Sequence, residues 1–304
     1  MLQILAFALL IAAGPAHAGS SNASQLSHSA EAQGDQTHLE FVWKGGGEGK
    51  DRIEADVSSA EIDSDKGIKR KVQLADLHEA MAKAARKSAK GYKGVTLKAS
   101  ASKRGVQLQV SGPRSKAKAA MAAAKEAMEA RQESWMIENE VFEFEKGALA
   151  YDHARIVAAR ADAVAPVAAA LREGTTSDRE FVERALRFTQ SIPYQKGRRG
   201  QDSGFQRPLA LLARNKGDCD GKSALFLALL RAELPHAPLA MVYVPGHALV
   251  GVGIEPAKGD RTFREDGETY VMAEPVGPGA FPLGETARSN RRAGRRGTVR
   301  VVPE

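Results

Sequence analysis

The amino-acid sequence predicts an α+β fold in two parts, and three observations support this. In the first half, strand patterns come in pairs, and each pair is followed by a helix. A helix that is apolar nearly all round begins at Cys219, and three β-rich runs follow it between Leu239 and Ala273. The 304 residues allow two domains, and 43% hydrophobic with 27% charged residues excludes a disordered or collagen-like chain.

The first residues are predicted to be a signal peptide rather than part of the fold. An apolar run from Leu2 to Ala13 is followed by a Gly-Pro break and by Ala16-His17-Ala18, which matches a small-x-small cleavage pattern. The run is shorter than the roughly 20 residues of a membrane span. No Lys or Arg precedes it, so an uncleaved anchor is an alternative. We therefore expect a signal peptide over 1–18, a flexible tether over 19–36, and a periplasmic or secreted protein.

The next segment is predicted to be a small α+β domain over residues 37–140. Alternating or helically spaced apolar residues and turn-forming glycines indicate its elements. In order these are strands over His38–Trp43 and Arg52–Val57, a helix from Leu74 to Gly91, a hairpin with strands over 95–99 and 106–110, and a helix over 113–136. No motif in this domain carries chemistry, so we expect a docking, substrate-selecting or propeptide-like role.

A second domain is predicted over residues 150–304, ending in a basic tail. Its first helix, over 151–172, is expected to kink or break at Pro166. Ser177 and Glu180 have the form of a capping box, and the helix that they start must stop before Pro193.

The single cysteine of the chain is the first candidate for chemistry. One cysteine cannot form an internal disulfide or a multi-cysteine metal site. Cys219 lies between a polar turn and the apolar run, at the predicted N-terminal end of a buried helix. Helix N-termini favour negative charge, which predicts a lowered thiol pKa and a reactive thiolate. On this local pattern, a nucleophile and an inert core thiol are equally supported.

A histidine and a carboxylate follow the cysteine at strand ends. His247 opens one β-rich run, and Glu274 ends the next. Adjacent antiparallel strands would bring these ends side by side. A thiol needs a base to form its thiolate, and the base needs a third group to hold its orientation. All three residues together therefore favour a nucleophilic cysteine.

At this point the sequence resembles the transglutaminase-like superfamily, in its bacterial cysteine-peptidase branch with a papain-like fold. The resemblance covers about a third of the chain, roughly from Thr176 to Gly284. It is carried by Phe188-Thr189-Gln190-Ser191-Ile192-Pro193-Tyr194, by Gly217-Asp218-Cys219-Asp220-Gly221-Lys222-Ser223, by Gly246-His247-Ala248 and by Tyr270-Val271-Met272-Ala273-Glu274-Pro275. It implies an α+β core in which the buried cysteine helix packs on an antiparallel sheet, preceded by the small α+β domain.

The resemblance also implies roles for individual residues. Cys219 corresponds to the nucleophile, His247 to the general base and acid, and Glu274 to the orienting carboxylate, a position where the family more usually has Asp. Glu255 is an alternative for that carboxylate. Gln206 is a candidate oxyanion donor without a clear match in the family. Asp220 is expected to cap the helix or to interact with its dipole, and the backbone N–H of Cys219 is the safer oxyanion donor.

The expected function is that of an exported cysteine hydrolase, which cleaves a peptide or isopeptide bond through a Cys-His-acid triad and a thioester. Two alternatives stay open: a protein-crosslinking transglutaminase, and a catalytically silent binding module of the cell envelope. The expected partner is a protein or peptide substrate in the envelope, and no cofactor, metal site or nucleic acid is expected.

The formal net charge of +7 comes partly from two basic clusters. One is Lys196, Arg198 and Arg199, and the other is the group Arg288, Arg291, Arg292, Arg295, Arg296 and Arg300. No aromatic residues accompany the arginines, so a solvated basic tail is the simplest interpretation. We expect electrostatic association with anionic envelope surfaces rather than with nucleic acid.

Overall fold

The computed structural model describes residues 25–45, 49–66, 72–145, 148–195, 206–244, 247–276, 280–287, 290 and 298–302. The predicted signal peptide and the cluster Lys196, Arg198 and Arg199 lie outside these residues. So do the arginines of the predicted basic tail, apart from Arg300. The described residues form a mixed α+β fold with antiparallel sheets, which confirms the predicted class.

The elements follow one another in three groups along the chain. The first is β1 (Gln25–Gln33), β2 (Gln36–Lys44), β3 (Lys50–Ser58) and α1 (Ser59–Asp65). The second is α2 (Leu74–Ser88) with a following 3₁₀ turn (Ala89–Gly91), β4 (Thr96–Ser102), β5 (Gly105–Ser111), α3 (Arg114–Glu138), β6 (Val141–Glu145) and β7 (Ala148–Tyr151). The third is α4 (His153–Arg172), α5 (Asp178–Ser191), α6 (Pro208–Arg214), α7 (Cys219–Glu233), β8 (Leu239–Val244), β9 (His247–Val252), β10 (Thr262–Glu265), β11 (Glu268–Ala273) and β12 (Thr298–Val301).

The chain divides into two compact units, and their boundaries differ from the predicted domains 37–140 and 150–304. The first unit comprises Met1–Lys69 together with His153–Glu304, and the second is Arg70–Asp152. The N-terminal strands therefore belong with the C-terminal half. Their aromatic side chains explain why, since the rings of Phe41 and Trp43 meet Phe188 of α5 edge-on, at centroid distances of 4.9 and 5.3 Å.

A buried carboxylate also holds the N-terminal segment in the first unit. Asp65, at the end of α1, has a fully buried side chain. It pairs with Arg160 of α4 at 2.5 Å and accepts the backbone N–H of Leu209 in α6 at 2.9 Å. A buried carboxylate needs such partners, because an unpaired charge in the interior is very costly. Asp65 thus ties α1 to two helices from a distant part of the chain.

Two strands of the first unit contradict predictions. Residues 25–33 of the predicted tether form β1, which pairs antiparallel with β2 through a turn at Gly34. β1 is mostly exposed, so it lacks the apolar alternation that marks a half-buried strand. In the predicted basic tail, residues Thr298–Val301 form β12, an edge strand paired with β8.

The core of the first unit surrounds α7. This helix is buried continuously from Gly221 to Arg231, which confirms the predicted buried helix. It packs against α4 and against the five-stranded antiparallel sheet of order β10-β11-β9-β8-β12. A kink or a break was expected at Pro166. α4 runs from His153 to Arg172 with Pro166 inside it, so the helix is not broken there.

The second unit follows its sequence pattern closely. The predicted helices and the hairpin appear as α2, α3 and β4–β5. The inner face of the hairpin packs on both helices through small side chains, among them Ala85, Ala99 and Ala124. A second cluster joins Leu77, Trp135 and Val141.

Within the described ranges, no helix is both long and apolar enough to span a bilayer.

Candidate active site

The cysteine lies at the position that the sequence predicts, at the first residue of α7. Asp218 is the N-cap, and its Oδ1 accepts the N–H of Gly221 at 2.9 Å. The N–H groups of the first helical turn have no acceptor within the helix, so that of Cys219 can donate to a ligand. A side chain at Gly217 would overlap Leu211, which explains the glycine before the cap. Cys219 is partly exposed, as a reactive thiol must be.

His247 and Glu274 lie side by side at one end of the sheet. β9 begins at His247, and its antiparallel neighbour β11 ends at Ala273, which is opposite Val250. This register brings the imidazole Nε2 to 3.1 Å from Glu274 Oε1. The two side chains are only 17% and 6% exposed. Because a carboxylate can only accept hydrogen bonds, Nε2 donates and Nδ1 is left as an acceptor.

Glu274 is held by groups that the sequence analysis did not identify. Its Oε2 accepts the backbone N–H of Ala287 at 2.7 Å, and its Oε1 accepts the amide of Asn290 at 3.0 Å. Gln190 donates to the backbone carbonyl of Glu274 at 3.0 Å. Together with the imidazole of His247, the two donors to Oε1 and Oε2 fix the orientation of the carboxylate, and Gln190 fixes the backbone that carries it. Ala287 and Asn290 come from a segment without regular periodicity, so no pattern in the sequence pointed to them.

The thiol lies beside the start of β9. The Ser223 hydroxyl of α7 donates to the carbonyl of Ala248 at 3.4 Å, and the backbone N–H of Ala248 hydrogen-bonds to the Cys219 sulfur. Ala248 directly follows His247, so the structure brings the nucleophile and the histidine segment together. Among the described residues, the side chains of Cys219 and His247 do not hydrogen-bond to each other. The thiol instead donates to Asp220 Oδ1 at 3.4 Å.

This environment reverses the predicted direction of the thiol pKa. Burial raises the pKa of Cys219, and the carboxylates of Asp220 and Asp218 raise it further, while the N–H of Ala248 lowers it. The predicted lowering was wrong because burial and two adjacent negative charges disfavour the thiolate. The resting group is therefore a protonated thiol.

Asp220 does not make the helix-capping contact that was one of the two roles expected for it. Asp218, not Asp220, is the N-cap, and Asp220 accepts the thiol hydrogen. Gln206, the candidate oxyanion donor, is buried, and its amide nitrogen donates to Gln195 Oε1. The prediction assigned this amide group to the oxyanion, but in the structure it is hydrogen-bonded to Gln195. The alternative acid Glu255 is exposed, whereas Glu274 is buried and paired with His247.

Tyr194 lies in the site, although the sequence analysis gave it no role there. Its backbone forms a parallel bridge with Gly217, and the next N–H, of Gln195, donates to the Gly217 carbonyl at 2.8 Å. Its hydroxyl hydrogen-bonds to Cys219. Burial and the neighbouring Cys219 raise the pKa of Tyr194, so the phenol stays protonated. It is 39% exposed and can meet a ligand at the thiol.

Lys222 supports this arrangement from inside. The side chain is fully buried on the first turns of α7, and Nζ donates to the carbonyls of Gln190 and Ile192 at 3.2 and 2.7 Å. It thereby caps the C-terminal end of α5, directly before the Tyr194 segment. Burial lowers the pKa of Lys222 to about 7.

Two cavities of about 510 and 410 Å³ are lined by charged residues of β3 and α5, such as Arg52 and Arg184, and by none of the predicted site residues. In the part of the chain that is described, no group of three or more His, Cys, Asp or Glu side chains could hold a metal ion.

Comparison with protein-family models, curated proteins and solved structures finds no match for this chain.

The role of Asp220 can be tested by alkylation of the thiol. The substitution Asp220→Asn removes a negative charge that raises the thiol pKa, so more thiolate is present at neutral pH. We expect the rate of reaction with iodoacetamide to rise about tenfold, which corresponds to a shift of about one pKa unit. Asp162→Asn is the matched control, because Asp162 is an exposed carboxylate of α4. Equal rates for Asp220→Asn and the unchanged protein would contradict the assignment.

Proposed function

We propose that this protein is an exported cysteine hydrolase of transglutaminase-like type, which cleaves a peptide or isopeptide bond. The observation that carries the proposal is that the cysteine segment, His247 and Glu274 come together at one end of the sheet. Cys219 begins a buried helix beside Ala248, and the preceding His247 bonds to the buried Glu274 at 3.1 Å. A helix bearing the cysteine, packed on an antiparallel sheet that supplies the histidine and the acid, supports the proposed papain-like core.

In the first step the thiol turns from Asp220 to His247, whose Nδ1 takes the proton. The sulfur attacks the amide carbonyl, a C–S bond forms, and the carbonyl π electrons move to oxygen. The N–H of Cys219 stabilises this oxyanion, and the Tyr194 phenol is a second donor at the same place. Glu274 stabilises the imidazolium that has formed.

In the second step the tetrahedral intermediate collapses. The C–N bond breaks, the imidazolium gives its proton to the leaving amine, and a thioester on Cys219 remains. His247 then takes a proton from water as the water oxygen attacks the thioester carbonyl. The C–S bond breaks, a carboxylic acid leaves, and the imidazolium returns its proton to the sulfur of Cys219. An amine in place of water would give a crosslink through the same residues, so we distinguish the two outcomes by assay.

The proposal extends to the place and the partner of the reaction. The apolar run and cleavage pattern at residues 2–18 support export to the periplasm or beyond. A substrate there is a protein or a peptide of the cell envelope.

The proposed function is tested by covalent labelling with a peptidyl vinyl sulfone at neutral pH. We expect the native protein to react much faster than the unfolded chain, since the histidine activates the thiol only in the folded site. His247→Ala is expected to slow labelling by a factor of about 100 or more. His236→Ala, at an exposed histidine after α7, is the matched control and should react normally.

Two results would contradict the enzyme. One is equal labelling of native and unfolded protein, which would support a silent binding module. The other is His247→Ala labelling at the rate of His236→Ala.

A further inference from the structure

The second unit carries a long stretch of purely positive charge. Between Glu79 and Glu126 the sequence contains twelve basic residues and no acidic residue. All twelve side chains belong to exposed residues. They are Lys83, Arg86, Lys87, Lys90, Lys93, Lys98, Lys103, Arg104, Arg114, Lys116, Lys118 and Lys125. The surface of an ordinary domain carries charges of both signs. A stretch with only positive charges therefore favours binding to a negatively charged partner.

The topology gathers six of these charges at one end of the unit. Thr96 at the start of β4 is paired with Ser111 at the end of β5, so the chain before β4 and the chain after β5 leave the same end of the hairpin. Their close approach is visible at Gly112, where a Cβ would lie 2.6 Å from the carbonyl oxygen of Gly94. We call this region the basic end. It consists of Lys87 in the last turn of α2, of Lys90 and Lys93 after that helix, and of Arg114, Lys116 and Lys118 at the start of α3.

The charges of the basic end have no carboxylate partner among the residues that the structure describes. Of the twelve basic residues, Arg86 is the one that pairs with a carboxylate among the described residues, that of Glu79 at 2.7 Å. The first turn of α3 holds no acidic residue, and its N-cap, Pro113, makes no side-chain hydrogen bond. Basic residues beside the positive N-terminal end of a helix are electrostatically unfavourable. An anion bound there interacts favourably with the basic side chains and with the helix N-terminus.

We propose that the basic end docks the protein on a membrane surface of anionic phospholipid. Phosphate headgroups match six exposed cations and the free N–H groups of α3, and a cluster of four to eight Lys or Arg is typical of this kind of binding. Nucleic acid fits less well, because single strands require exposed aromatic side chains for stacking. The stretch between Glu79 and Glu126 contains one aromatic residue, Tyr92, which is half-buried. Docking at this surface does not depend on the proposed catalysis.

The test is co-sedimentation of the full chain with vesicles. One set contains equal parts of phosphatidylglycerol and phosphatidylcholine, and the other contains phosphatidylcholine alone. The variant is Lys90→Gln, Lys93→Gln and Lys116→Gln. The control is Lys44→Gln, Lys50→Gln and Lys258→Gln, which removes the same charge from exposed positions in the first unit. The apolar segment near the N-terminus is common to all proteins compared, and neutral vesicles measure its contribution.

We expect binding to the anionic vesicles that falls with added salt. Each lysine contributes about a fivefold gain in partitioning at such a surface, so the variant should bind about a hundredfold more weakly and the control nearly normally. The proposal is overturned if neutral vesicles bind the protein equally well, or if variant and control bind alike. It is also overturned if duplex DNA of random sequence competes the protein off the anionic vesicles, which would assign the basic end to nucleic acid. Melting curves of both variants establish that the fold is kept.

Discussion

Replacing Cys219 with alanine is expected to abolish amide-bond turnover, down to the uncatalysed rate. The thiol supplies the atom that attacks the carbonyl, and no other cysteine exists in the chain to replace it. Alanine suits the first turn of a helix and leaves the Asp218 cap intact, so the fold should persist. The loss is then chemical rather than structural.

The measurement is cleavage of a pooled peptide library, followed by mass spectrometry of the products. The same incubation with a biotinylated alkylamine detects thioester transfer to an amine, so hydrolysis and crosslinking are scored side by side. Cys219→Ser is a useful companion, because it keeps the shape and a weaker nucleophile. Full activity in Cys219→Ala would refute the mechanism.

A second large effect is expected for Glu274→Gln. The amide keeps the shape of the side chain but removes the charge that stabilises the imidazolium, and its NH₂ group can hold the wrong tautomer of His247. In catalytic triads of this kind, replacing the carboxylate by an amide lowers turnover by a factor of about a hundred to ten thousand. The buried, three-donor setting of Glu274 makes the charge hard to replace.

The rate should be followed from acidic to basic pH. A loss across the whole range is the signature of a group that acts through the imidazole. Glu285→Gln is the matched control, since Glu285 is an exposed carboxylate of the same segment. Turnover of Glu274→Gln equal to that of Glu285→Gln would remove Glu274 from the triad, and comparable melting temperatures would exclude unfolding as the cause.

Elements with strong local signals were predictable. The hairpin β4–β5 alternates apolar and polar residues, and α7 is an apolar run that begins at a capping residue. By contrast, β1 and β12 pair through backbone hydrogen bonds while their side chains carry no apolar alternation. Such strands exist because a neighbour offers a free edge, and that information lies in other parts of the chain.

The candidate site divides in the same way. Cys219, His247 and Glu274 could be identified because each lies at the end of a recognisable element. Asn290 and the N–H of Ala287 could not, since they reach Glu274 from a segment without a periodic pattern. The thiol pKa could not be predicted either, because the helix dipole is a local effect whereas burial depends on the whole fold.

The sequence by itself determined the α+β class, the buried helix that begins at Cys219, the order of cysteine, histidine and acid, and the uninterrupted positive charge between Glu79 and Glu126. Periodicity, capping residues and charge count are properties of neighbouring residues, so they can be read without a fold. Only the tertiary structure decided that the N-terminal strands join the first unit through Phe41, Trp43 and Asp65, and that six of the basic residues meet at one end of the second unit. It also decided that the thiol rests protonated beside Asp220. These features depend on contacts between residues far apart in the chain, which local patterns do not encode.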